Sequence, residues 1–138
     1  GLPRAKAKDI ALEKLAKVGL GAEVANLSPA ELSGGMQKRV GLARAIASDP
    51  EIIFFDEPTT GLDPTSTRKI DDLIIKFARE RGITSLVVTH DIQSARRVSD
   101  RWMLLSKGTI VADGAVSEVE HDSKLVADFV SGEWKDDV

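Results

Sequence analysis

Apolar and polar positions along this chain follow two periods, one helical and one extended. From Ala5 to Val18, Ile10, Ala11, Leu15 and Val18 share one face, while Lys6, Asp9, Glu13 and Lys17 fall largely elsewhere. That spacing predicts an amphipathic helix, stopped by Gly19. A looser stretch, Leu20 to Leu27, leads into Ser28-Pro29-Ala30-Glu31, where Ser28 caps, Pro29 suits the first helical position and Glu31 completes a capping box. After Ser33-Gly34-Gly35, the residues Met36, Val40, Ala43 and Ala47 predict the buried stripe of a second helix, ended by Asp49-Pro50. Glu51 to Asp56 is a short continuous apolar run, which predicts a strand covered on both faces.

Pro58, Gly61 and Pro64 then make a loop, with Asp63 as an N-cap before a first-turn proline. Ile70, Leu73, Ile74, Phe77 and Ala78 form one apolar helical face, closed by Gly82. Ile83 to Thr89 predicts a second buried strand ending at His90, and a helix through Ile92, Ala95 and Val98 follows. Trp102 to Leu105 and Thr109 to Asp113 flank Lys107-Gly108, a hairpin signal. Two short helices come last, the second carrying Leu125, Val126 and Phe129, and the polar stretch Glu133 to Val138 is expected to fray. Strand, helix, strand, helix, strand predicts an α/β fold with a parallel sheet and right-handed crossovers. Ligands in such sheets bind at the carboxyl ends of the strands, where Asp56, Glu57 and His90 all fall.

Composition changes this picture little. The 138 residues fit one domain, and 42% hydrophobic with 30% charged residues is ordinary for a globular chain. A net charge of −3 argues against nucleic-acid binding through a basic face. The absence of cysteine excludes disulfides and thiolate metal sites. No apolar run approaches the roughly 20 residues that span a bilayer, and no signal peptide is visible, so a soluble cytoplasmic chain is expected. Gly1-Leu2-Pro3 lacks an initiator Met, which predicts a fragment boundary.

Candidate chemistry sits in two places. Ser33-Gly34-Gly35 opens a helix, where unpaired amides and the positive end of the dipole suit a phosphate and glycines let it approach. A capped helix with a glycine turn reads the same way. Asp56 and Glu57 end a strand, so one could hold Mg²⁺ through water while the other polarises an attacking water. Taken alone they also read as a surface acid pair, and His90 as a structural histidine.

Order and spacing separate these readings. Glu31-Leu32-Ser33-Gly34-Gly35-Met36-Gln37-Lys38-Arg39 resembles the signature motif of ATP-binding-cassette (ABC) ATPases, with Met36 where Gln is most usual and Gln37 one place later. Ile52 to Glu57 resembles their Walker B strand, Thr60-Gly61-Leu62-Asp63-Pro64 the D-loop, and Thr89-His90-Asp91 the switch histidine. Four motifs in family order are far more specific than any one of them.

The resemblance implies a partial P-loop NTPase (RecA-like) core, residues 49–138, joined to an ABC helical subdomain, residues 1–48. It implies that Ser33, Gly34 and Gly35, with Met36 and Gln37 in the same motif, meet the γ-phosphate of ATP held mainly by the opposite subunit. Asp56 would organise Mg²⁺, Glu57 would orient or deprotonate the attacking water, His90 would sense the γ-phosphate, and Asp63 would link the two sites of a dimer. The implied partners are a second copy of the ATPase subunit and an integral-membrane permease, at the cytoplasmic face of the membrane. Leu2-Pro3, the Leu32 to Ala45 run and Val126 to Glu133 look most like the ATPases of Mce/Mla-type lipid transporters; glycine-betaine importers share the signature helix, Met36 included. An ABC ATPase outside transport, or an interaction fragment, are the rival readings.

No Gly-x-x-x-x-Gly-Lys-Ser/Thr occurs in the sequence, so the resemblance extends to the later part of a cassette only. The chain alone is therefore expected to bind ATP weakly or not at all. In the family's topology the strand before His90 lies between the P-loop strand and the Walker B strand. Without a P-loop strand the sheet is expected to oligomerise, swap strands or close in another order.

Overall fold

The computed structural model describes residues 1–134, which form two compact units, one of residues 1–94 and one that begins at Ala95. The last four residues, where part of the expected fraying falls, lie outside the described residues.

In the first unit, α1 (Arg4–Lys17) ends where Gly19 takes a φ of 71°, and a 3₁₀ turn at Ala22–Asn26 follows. Glu31 Oε2 accepts from both the amide and the hydroxyl of Ser28 at 2.8 Å, so the expected capping box forms around Pro29–Glu31. Ser33 caps α2 (Gly34–Ala45), which packs on α1. The buried stripe of α2 is not the expected one. Met36 and Val40 are half-buried and Ala47 is exposed, while Leu42, Ala43 and Ile46 are buried with Val18, Leu20 and Val24. Two leucine-sized side chains exclude more water than the alanine at position 47, and they set the helix's rotation.

β1 (Ile52–Asp56) and β2 (Thr84–Val88) pair in parallel, with Phe54 opposite Leu86 and Asp56 opposite Val88. Between them runs α3 (Pro64–Arg81), capped by Asp63 and closed by Gly82 at φ 63°. Ile70, Ile74 and Phe77 are each 2% exposed or less and face inward, as do Ile53 and Phe55. The expectation of strands covered on both faces fails. β1 alternates, leaving Ile52 57% and Phe54 75% exposed, and Val88 of β2 is 53% exposed. In this unit one face of β1 is covered, so a continuous apolar run here does not mean two covering layers. At the carboxyl side, Ser94 Oγ donates to both carboxylate oxygens of the buried Asp71 at 3.0 and 3.1 Å, fixing the start of α4 (Ile92–Val98) on α3.

Lys14, 4% exposed, is a buried charge that the helical period did not place. Its Nζ and Arg81 Nη1 both donate to Asp49 Oδ1 at 2.6 Å, joining α1, the turn after α2 and the end of α3. The bond from Lys14, then that from Arg81, holds the Asp49 carboxyl below its usual range. A folded-state value below the unfolded one adds stability above the unfolded value, and that stability is lost as pH falls through the folded value. Asp49→Asn is therefore expected to lower the melting temperature at neutral pH, with the deficit shrinking in acid; thermal melts across a pH series check it.

The second unit contains an antiparallel hairpin, β3 (Arg101–Ser106) and β4 (Thr109–Ala115). Lys107 and Gly108 turn it with φ of 47° and 75°, the left-handed pair that a two-residue hairpin turn requires. α5 (Val116–Asp122) and α6 (Lys124–Ser131) follow, burying Val119 and Val126, whereas Leu125 and Phe129 stay partly exposed. Among the described residues, the expected single parallel sheet is corrected to two sheets, parallel β1-β2 and antiparallel β3-β4. Nor do the strands close in another order: β1 and β2 are neighbours, as the resemblance implied.

Candidate functional site

The first unit brings two of the expected residues into direct contact. Parallel pairing sets the carboxyl ends of β1 and β2 side by side, so Glu57 and His90 leave adjacent strands on the same edge. His90 Nδ1 lies 2.9 Å from Glu57 Oε1, and Thr60 Oγ1 donates to Glu57 Oε2 at 2.7 Å. Glu57 has a φ of 46°, in the left-handed region, and its amide donates to the Val88 carbonyl at 2.9 Å. Asp56 ends the strand in extended conformation, whereas Glu57 does not, so the two carboxylates part company at the bend. Asp56 is exposed and its side chain bonds nothing among the described residues, which leaves it open to a hydrated cation. No group of three acidic or histidine side chains converges among the described residues, so a metal here would take ligands beyond Asp56 from elsewhere.

Each member of the pair stabilises the charge of the other. The bond with His90, then that with Thr60, holds the Glu57 carboxyl below its usual range; the bond with Glu57, then its charge, raises His90. The stability from Glu57 is present above the ordinary glutamate value and is lost as pH falls. That from His90 is present below the ordinary histidine value and is lost as pH rises. The pair is thus intact at least between about 4.3 and 6.5. With His90's side chain 74% exposed the link is weak in energy but visible by titration. His90 is expected to titrate above an ordinary histidine by NMR, and Glu57→Gln to bring it back; equal titration in both chains would contradict the pair.

The signature turn is built separately. Ser33 Oγ accepts from the Met36 amide at 3.2 Å, leaving its hydroxyl proton and the Gly34 and Gly35 amides, which have no acceptor within the helix, at the N-terminus of α2. Packing does not demand the glycines. A Cβ on Gly34 would sit 3.6 Å from Leu62 Cδ2, one on Gly35 3.4 Å from Ser66 Oγ, and neither has positive φ. Their bareness instead suits close approach of an anion, which the donors fit. Met36 is half-buried, and Gln37 Nε2 donates to the carbonyls of Pro29 and Leu32 at 2.9 and 3.2 Å, so it braces the preceding turn. Asp63 Oδ1 accepts from the amides of Thr65 and Ser66, which occupies it as a cap, and the Ser66 side chain, then the Ser66 amide, holds its carboxyl below the usual range.

Ser33, Gly34 and Gly35 share no hydrogen bond with Glu57, His90 or Asp56. A cleft of about 670 Å³ separates α2 from the end of β1, with Gly34, Lys38, Asp56 and Thr60 on its walls. Lys38 Nζ donates to the Glu57 carbonyl at 3.0 Å. The sequence reading passed over Lys38 and Thr60 because both act through Glu57, and no periodicity marks such a contact.

Residues 4–60 match the family model described as ABC transporter. Over 119 residues, 86% of the chain, it is 41% identical to the energy-coupling factor transporter ATP-binding protein EcfA2 of Bacillus licheniformis and 46% identical to the methionine import ATP-binding protein MetN of Caulobacter vibrioides. It spans 41% and 36% of those proteins' lengths. Among solved structures, the dimeric MJ0796, a bacterial ABC transporter cassette, aligns with 84% of the chain and 50% of its own at TM-score 0.74 and 39% identity. The ADP conformation of MJ1267, an ATP-binding cassette of an ABC transporter, aligns with 95% of the chain and 52% of its own at TM-score 0.80 and 26% identity.

Proposed function

We propose that this chain, whose fold is that of an ABC ATPase cassette, supplies the phosphate-contacting turn and the water-handling acid of a transporter's nucleotide-binding subunit. The subunit hydrolyses ATP at a dimer interface to drive transport across the membrane. The observation that carries this reading is the Glu57–His90 pair at the carboxyl ends of two parallel strands. An ionised Glu57, fixed by His90 and Thr60, orients a water and accepts its proton as the water oxygen bonds the γ-phosphorus and the bond from that phosphorus to the bridging oxygen breaks, releasing ADP. His90 is placed to exchange Glu57 for a γ-phosphate oxygen and so report its presence. Asp56 would hold Mg²⁺ through water, and the ion when bound would neutralise charge on the phosphates. Ser33, Gly34 and Gly35 would donate to the γ-phosphate of ATP held by the opposite subunit, and Asp63 would link the two sites while capping α3.

Residues 1–48 serve as the helical subdomain that meets an integral-membrane permease, and residues 49–138 as the core. The second subunit is another copy of the full ATPase, at the cytoplasmic face of the membrane, with no nucleic acid involved. No helix among the described residues is long and apolar enough to cross the membrane itself. Lipid transport rests on Leu2-Pro3, the Leu32 to Ala45 run and Val126 to Glu133, which resemble Mce/Mla-type ATPases. The 46% identity to a methionine import protein favours a second reading, import of a small polar solute, alongside the glycine-betaine type.

Lacking a Walker A sequence, the 138-residue chain is inactive by itself and gains stability by pairing with a second copy or a partner strand. Mixing it with a cassette subunit whose own signature serine has been changed tests the division of labour. Restored hydrolysis that depends on Ser33 supports it; no restoration with a demonstrated complex contradicts it.

A further inference from the structure

Lys38 lies four residues after Gly34 and three after Gly35, one turn into α2. Its Nζ donates to the Glu57 carbonyl at 3.0 Å, and the Thr60 amide meets the same oxygen at 3.4 Å. Glu57 is in the left-handed region at φ 46°, a conformation that a residue with a side chain keeps only when its surroundings hold it. The Val88 carbonyl holds its amide, and Lys38 is the charged donor on its carbonyl. The carboxylate then points where His90 and Thr60 meet it. We propose that Lys38 is a positioning residue for Glu57: by bonding its carbonyl it holds the left-handed bend that aims the carboxylate at His90. It thereby ties the helix opened by Ser33-Gly34-Gly35 to the acid of the same chain. The catalytic meaning of this link rests on the function proposed above; the link itself does not.

Titration of His90 by NMR tests it. Glu57 and Asp91 are the charges that act on His90, and Lys38 reaches it through Glu57. Two effects of Lys38→Met have opposite sign. Losing a positive charge near the pair makes His90 easier to protonate and raises its midpoint; losing the aim of Glu57 removes its partner and lowers it. Lys38→Met is expected to lower the His90 midpoint towards that of an ordinary histidine, and Lys38→Arg, which keeps the donor, to preserve it. Lys38→Gln keeps a donor on a shorter stem and should fall between, which covers the case in which the methionine chain does not fold. A midpoint unchanged or raised in Lys38→Met, or lowered equally in Lys38→Arg, overturns the proposal. Because this reads geometry alone, its failure leaves the hydrolytic reading standing, and failure of hydrolysis leaves the link standing.

Discussion

Glu57→Gln is expected to slow ATP hydrolysis by roughly 10²–10⁴-fold in a cassette made by joining this chain to a segment that supplies the Walker A loop. Glutamine keeps the size and polarity of the side chain but removes the charge that His90 and Thr60 hold ionised. Orientation of a water by hydrogen bonding partly survives, whereas acceptance of its proton does not, so the loss should fall on the chemical step. Nucleotide binding should be retained, since Glu57 is not among the groups that hold the ground-state nucleotide in this account. Single-turnover hydrolysis set beside equilibrium binding checks both halves. A rate within a few-fold of the unsubstituted cassette would remove Glu57 from the chemistry.

Phe77→Ala is expected to cost about 3–5 kcal/mol. At 2% exposure the ring lies among the inward side chains of α3, and its removal leaves a cavity that neighbouring aliphatics fill only in part. Since small domains hold about 5–15 kcal/mol in total, this one change should remove much of the stability of the first unit. Phe54→Ala is the counterpart. Its ring is 75% exposed on the open face of β1, and the substitution should stay within about 0.5 kcal/mol. Denaturant unfolding of the two variants separates a one-sided sheet from a two-sided one, because equal losses would mean that the face bearing Phe54 is covered in solution.

The element order was legible from periodicity and caps. Ser28-Pro29-Ala30-Glu31, Asp63-Pro64 and Lys107-Gly108 act through local hydrogen bonds or backbone angles, so their signals lie within a few residues of sequence. The carboxyl-end placement of Glu57 and His90 was legible for the same reason, given parallel strands. What sequence could not reveal depends on contacts across long separations. Whether Ile52-Ile53-Phe54-Phe55 is covered once or twice is decided by layers outside the strand, and an apolar run is compatible with both. Lys14 was invisible because a lysine on a helix normally reaches water, and here Asp49, 35 residues away, draws it inward. The rotation of α2 about Leu42 and Ile46 was not legible because Met36, Val40, Ala43 and Ala47 offer an equally good helical period. Lys38 and Thr60 sat inside recognised motifs without a role, since their work is done on the backbone and carboxylate of Glu57.

The proposed division of labour gives this chain a phosphate-contacting turn and a water-handling acid, while its sequence holds no Gly-x-x-x-x-Gly-Lys-Ser/Thr for the nucleotide that both would serve. Isothermal titration of Mg·ATP into the 138-residue chain tests it most directly. The account predicts no saturable binding in the micromolar range and no release of phosphate on incubation. Tight, saturable binding or turnover by the chain alone would contradict it.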